Sequence, residues 1–127
     1  PMFDSISAAA SAEDAKVIGV DVDQSFQSPT VITSAMKGIG EATMQALKAA
    51  ATEDGWKAFN GDGTQTITLG AAEGAVGLPT ATWSLKNWSV EEYEAMFADI
   101  VSGKLVIDNA DVAEPASTEH VTVNIIK

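Results

Sequence analysis

The chain has 127 residues, the length of one domain, and 46% of them are hydrophobic, enough to expect a core of its own. A formal net charge of −11, with seven lysines and no arginine, argues against nucleic acid or an anionic membrane surface as partner. Cysteine is absent and histidine occurs once, at His120, which leaves no disulfide framework, no thiol nucleophile and no thiolate or multi-histidine metal site. No apolar run reaches the roughly 18 residues of a membrane helix. The opening Pro1-Met2-Phe3 lacks an initiator methionine at position 1 and reads as the start of a cut piece or a mature product.

Alanine-rich Phe3 to Ala15, with Phe3, Ile6 and Ala10 as its apolar positions, predicts a helix. Lys16 to Val20 is a short β-branched run of the kind buried in parallel sheets, and it leads directly into Asp21, Asp23 and Gln24. Ser25 to Pro29 is a polar loop, closed by a proline that cannot lie inside a central strand. Thr30 to Thr33 resumes as a strand. Ser34 then fits an N-cap, with Lys37 in the first turn of a helix that runs to about Thr52. Ile39, Thr43, Met44 and Leu47 would form its apolar face. Gly55 is expected to end that helix, and Trp56 to Thr64, rich in glycine, reads as a surface loop.

Thr66 to Leu69 predicts a strand and Gly70 to Gly77 a small-residue turn leading to Val76 and Leu78, while Pro79 to Lys86 fits no single element. Ser89-Val90-Glu91-Glu92 is a capping box for a helix through about Ser102, with Val90, Tyr93, Phe97, Ile100 and Val101 inward. Gly103 stops it, Leu105 to Ile107 follows as a short strand, and Asp108 to Thr118 is a polar loop. Val121, Val123 and Ile125 alternate with His120, Thr122 and Asn124, the pattern of an edge strand in the tail 107–127. Strands alternating with helices predict an α/β domain over 1–127: a three-layer, mostly parallel sheet with helices on both faces. Trp56 and Trp88 sit at helix boundaries as covers for the core edge, whereas Trp83 is a candidate cleft residue.

In open α/β sheets ligands sit beyond the carboxyl ends of the strands. Asp21, Asp23 and Gln24 stand at such an end, and a neighbouring parallel strand would bring Lys37 to the same edge. A carboxylate beside an ammonium makes a clamp for vicinal hydroxyls, the acid accepting and the lysine donating.

Val-Ile-Gly-Val-Asp21-Val-Asp23-Gln24, followed by Val31-Ile32-Thr33-Ser34-Ala35-Met36-Lys37, resembles the paired signature GVDxDQ and LTSxxK of the basic membrane protein family. These are substrate-binding lipoproteins of ABC transporters and include purine nucleoside receptors. Leu69-Gly70 with Gly74 to Leu78, and Phe97 to Leu105 with its Gly103-Lys104, resemble later family segments, so the likeness extends over roughly 17–106. It implies part of one lobe of a type I periplasmic-binding-protein fold and an extracytoplasmic receptor, a cell-surface lipoprotein or periplasmic. Such a receptor binds a nucleoside or similar polar ligand between two lobes and delivers it to a permease. By the same resemblance Asp21 and Lys37 would contact the ribose, Asp23 and Gln24 match the motif as support for the loop, and Ser34 completes the ligand-site positions. Catalytic residues, a metal and a cofactor are not implied. Family chains are more than twice as long, so the base-reading residues would lie in a lobe not present here. A lobe entered midway would expose a strand edge, with self-association as the expected consequence.

The same strand end also resembles the hhhDxD motif of haloacid-dehalogenase-type phosphatases. There Asp21 would be the nucleophile and Asp23 the acid/base beside Mg²⁺, with Thr33 or Ser34 on the phosphate, Lys37 or Lys86 as counter-charge, and Asp108 and Asp111 as distal metal ligands. Ser25 stands where that family favours threonine, and no cap insertion follows.

Overall fold

The computed structural model describes residues 2–63, 66–108, 117, 119, 120, 122 and 123. Among them, in order, are α1 (Met2–Ala12), β1 (Val17–Asp21), β2 (Val31–Lys37), α2 (Ile39–Ala50), α3 (Glu53–Asn60), a 3-10 turn (Gly61–Gly63), β3 (Val76–Gly77) and α4 (Val90–Val101). The fold is α/β, with one three-stranded sheet in the order β1-β2-β3. β1 and β2 are parallel, whereas β3 pairs antiparallel to β2 through Met36↔Gly77 and Lys37↔Val76. The sheet is therefore mixed rather than mostly parallel.

β2 is longer than its sequence suggests. Ser34 is a mid-strand residue, not an N-cap, and Lys37 is the last residue of the strand, not part of a helix. Hydrogen-bond partners on both sides explain this: Gly19, Val20 and Asp21 face Ser34, Ala35 and Met36, and β3 takes the end of the strand. Long-range pairing overrides the local capping preference of serine. The helix then starts after Gly38, which caps α2 without a side-chain hydrogen bond. A bulge lies between Val17 and Ile18, where Val17↔Val31 is followed by Ile18↔Thr33. It leaves Ile32 unpaired, and the Ser84 hydroxyl donates to the Ile32 carbonyl at 2.7 Å.

Trp56 does not open a loop. Thr52 caps α3 by accepting from the Gly55 N–H, Glu53 and Asp54 occupy the first turn, and Gly61 closes the helix in the left-handed region at φ 54°. Thr66 to Leu69 and Leu105 to Ile107 are not strands. Their β-branched composition finds no neighbouring strand among the described residues, and β propensity alone does not make a ladder. The capping box at Ser89 and Glu92 forms in full and starts α4 as its sequence predicts. The tail alternation falls on 120–125, of which positions 121, 124 and 125 lie outside the described residues.

Burial is modest for this composition. Ala10, Val31, Ala75 and Tyr93 are buried, together with Gly19, Pro79, Thr30, Thr33 and Ser34. The expected inward face of α2 is instead exposed, Ile39 at 60% and Leu47 at 61%, and Val101 on α4 is exposed as well. The periodicity is present; no partner layer covers it among the described residues. Tyr93 organises the better-packed side. Its ring meets Trp83, Trp88 and Phe97 at centroid distances of 5.4, 5.7 and 5.6 Å, and its hydroxyl accepts from the Leu78 N–H at 2.9 Å. Trp83, whose indole N–H donates to the Trp88 carbonyl, belongs to this cluster and not to the cleft described next.

Candidate functional site

The carboxyl ends of β1 and β2 open into a cleft of about 260 Å³. Asp21, Val22 and Asp23 line one side, Met36, Lys37 and Gly38 the next, and Gly74, Val76 and Gly77 the third. Parallel pairing with Asp21 opposite Met36 places Lys37 one residue beyond the register partner of Asp21. The Lys37 ammonium lies 2.7 Å from an Asp21 carboxylate oxygen. The sequence-level juxtaposition of these two residues is thus realised, although Lys37 reaches it from a strand end.

The backbone beneath this pair is unusual. Asp21 has φ +73°, and the Val22 N–H donates back to the Val20 carbonyl at 3.0 Å. That is a γ-turn centred on Asp21, in the sense that is rare and strained for L-residues. Aspartate tolerates positive φ better than most side chains, but such conformations still cost on the order of 1 kcal/mol or more. The ion pair does not offset this. Its side chains are 64% and 53% exposed, and exposed pairs contribute only about 0–1 kcal/mol. Stability therefore gives no account of why the turn exists. The strained turn does aim a carboxylate at an ammonium on the rim of a cleft, and such strain clusters at ligand sites.

The remaining motif residues stand around this pair in different ways. Asp23 lines the cleft, accepts from the Thr82 hydroxyl at 2.7 Å and accepts from the Ser25 N–H at 3.0 Å. The Thr82 hydrogen bond, then those from Ser25, hold its pKa below the ordinary aspartate value. A carboxylate depressed in the folded state adds stability that is present above the unfolded pKa. That stability is lost as pH falls through the folded one, a window below about pH 4. Thr82→Val should raise the Asp23 pKa toward the ordinary value and shrink that acid-side loss, read by carboxyl-carbon NMR titration. Gln24 is half-buried and is not among the residues that line the cleft. Ser34 is wholly buried, at 0% exposure.

That burial bears on the phosphatase-like arrangement. Thr33 and Ser34, its candidate phosphate-binding hydroxyls, are both buried in the sheet. Among the described residues no group of three or more His, Asp or Glu side chains could hold a metal ion, and Asp111 lies outside them.

Sequence reasoning missed the glycine wall. Gly38, Gly74 and Gly77 bring bare backbone to the cleft, and a Cβ on Gly38 would stand 2.6 Å from the Gly74 carbonyl oxygen and 2.8 Å from the Ala75 Cα. The signal was the glycine density of 70–77 together with Gly38, which only the β2-β3 pairing brings together. A family model described as ABC transporter substrate-binding protein PnrA-like matches residues 3–111, most of the chain and all of this cleft. The chain belongs to that family. No curated protein matches it significantly. Family members are substrate-binding proteins rather than enzymes, working with an ABC transporter permease. In this PnrA-like chain the Gly19-Val20-Asp21-Val22-Asp23-Gln24 and Ile32-Thr33-Ser34-Ala35-Met36-Lys37 segments contain the two strand ends that form the cleft. No helix among its described residues is long and apolar enough to cross a membrane.

Proposed function

We propose that this chain supplies one wall of the ligand site of an extracytoplasmic ABC-transporter receptor, and that the ligand is a nucleoside or similar molecule carrying vicinal hydroxyls. The observation that carries the reading is the half-exposed Asp21–Lys37 pair at 2.7 Å on the rim of the cleft, set on a strained turn. One hydroxyl donates to the Asp21 carboxylate while its neighbour accepts from the Lys37 ammonium, so a diol bridges the pair without separating the charges. Gly38, Gly74 and Gly77 let the ligand approach backbone, and Val76 and Met36 offer apolar contact to a sugar ring.

Size supports a partial grip. Sites for whole drug-sized ligands enclose about 300–1,000 Å³, and a cleft of about 260 Å³ suits a sugar better than a sugar with its base. The base would then be read by a second lobe of the type I periplasmic-binding-protein kind, closing over this one. Binding by this chain alone should be weaker than micromolar. Nothing favours the phosphatase reading: both aspartates are engaged by neighbours, and its hydroxyl donors are buried.

Amide chemical-shift titration of the 127-residue chain with adenosine tests the proposal. The expected result is saturable shifts confined to Asp21 to Asp23, Met36 to Gly38 and Gly74 to Gly77. Shifts centred instead on the apolar cavity between Tyr93, Met96, Phe97 and Val20, or sub-micromolar affinity, would contradict it.

A further inference from the structure

The turn that aims Asp21 is braced from behind by one side chain. The Gln24 side-chain oxygen accepts from the Val20 N–H at 2.9 Å, and the Gln24 N–H donates to the Ser34 hydroxyl at 3.0 Å. Asp21 therefore sits inside a loop that Gln24 closes onto the residue before it, while the Gln24 backbone is pinned to the neighbouring strand. The two contacts converge over Gly19, whose missing Cβ would lie 2.5 Å from the Ser34 oxygen and 2.7 Å from the Gln24 side-chain oxygen. Gly19 faces Ser34 in the β1–β2 register, and Ser34 is three residues before Lys37 on the same strand. The brace thus ties the acid's turn to the strand that carries its ammonium partner.

Neither residue is placed to touch a ligand. Ser34 has no exposed surface, and Gln24 lies on the α1 side of β1, in a groove with Met2, Phe3 and Ile6. A glutamine exposed on a loop would be free to rotate; this one spends its acceptor on Val20 and its backbone donor on Ser34. The strained γ-turn at Asp21 has a single short hydrogen bond of its own, from Val22 to Val20, and strained backbone persists where its surroundings over-determine it.

We propose that Gln24, seated on the buried Ser34 hydroxyl, is a positioning residue that holds the Asp21 turn in its ligand-gripping shape. Its purpose rests on the diol-clamp reading above; its geometry rests on the hydrogen bonds alone. Gln24→Met keeps the bulk over Gly19 and removes the acceptor. Gln24→Glu restores an oxygen that can accept from Val20.

Two readouts on the full chain separate the brace from the clamp. Scalar couplings about the Asp21 N–Cα bond distinguish φ near +73° from extended backbone without any ligand. The ratio of adenosine to 2′,3′-dideoxyadenosine affinity reports the grip on the diol. The expected result is that Gln24→Met averages the couplings toward extended φ and lowers the affinity ratio about tenfold, and that Gln24→Glu returns both. Wild-type couplings and ratio in folded Gln24→Met would overturn the proposal. A wild-type ratio already near one would overturn the clamp reading instead, and the couplings would then decide the brace alone. Should Gln24→Met fail to fold, Gln24→Asn, one methylene short of Val20, is read by the same couplings with the same two outcomes.

Discussion

Gly38→Ala should destabilise the chain by about 2–3 kcal/mol, the upper part of the range for forcing an extra carbon into a packed site. The added Cβ would meet the Gly74 carbonyl oxygen at 2.6 Å, the Ala75 Cα at 2.8 Å and the Ala75 carbonyl carbon at 3.1 Å. All three are backbone, so no rotamer change relieves them. Gly38 at φ −76° would accept alanine on dihedral grounds; the collision is the whole cost. Relief requires the 70–77 segment to move away from β2, which breaks the Gly38 N–H bond to the Ala75 carbonyl at 2.7 Å and the short β2–β3 pairing. The same movement opens the glycine wall of the cleft. Urea denaturation should show the lower midpoint, and nucleoside binding should fall with it. By contrast, Gly40→Ala two residues later meets nothing within 4 Å and should be neutral or slightly stabilising in α2.

Lys37→Met should do the reverse, leaving stability nearly unchanged and weakening the grip on a diol. The Lys37 side chain is 64% exposed and its ion pair is worth little to folding, so the unfolding free energy should change by no more than about 0.5 kcal/mol. Hydrogen bonds to charged groups are worth about 1.5–3 kcal/mol, which converts to roughly ten- to hundred-fold in affinity. Asp21→Asn should behave in the same way, because asparagine is also tolerant of positive φ and keeps the shape of the turn while losing the charge. A pair that matters for binding and not for folding is the signature expected of the proposed clamp. Equal losses of stability and affinity in both variants would mark it as structural.

The approach of Asp21 to Lys37 was legible because two parallel strands of similar length end together whatever follows them. The element carrying Lys37 was not. Ser34 reads locally as a cap, and only its pairing with Gly19 and the nearby Val76–Gly77 strand, some 40 residues on, makes it a strand residue. The third helix was hidden by Gly55, Gly61 and Gly63, although Thr52 and the acids after it are ordinary helix-start chemistry. Thr66 to Leu69 failed in the opposite direction, having strand composition without a strand beside it among the described residues. The γ-turn at Asp21 could not be read at all, since an aspartate at a strand end looks the same at either sign of φ. Loop support by Gln24 was legible from its motif position, but the groups it holds were not, because one of its hydrogen bonds reaches across to Ser34 on the neighbouring strand.

The most direct test of the diol clamp is a four-way affinity cycle: wild type and Lys37→Met, each titrated by NMR with adenosine and with 2′,3′-dideoxyadenosine. The clamp predicts that the wild type prefers adenosine by more than about tenfold and that Lys37→Met, left with the Asp21 contact alone, keeps a preference about tenfold smaller, a coupling of about 1.4 kcal/mol. Equal affinity of the wild type for the two nucleosides, or a preference undiminished in Lys37→Met, would contradict it.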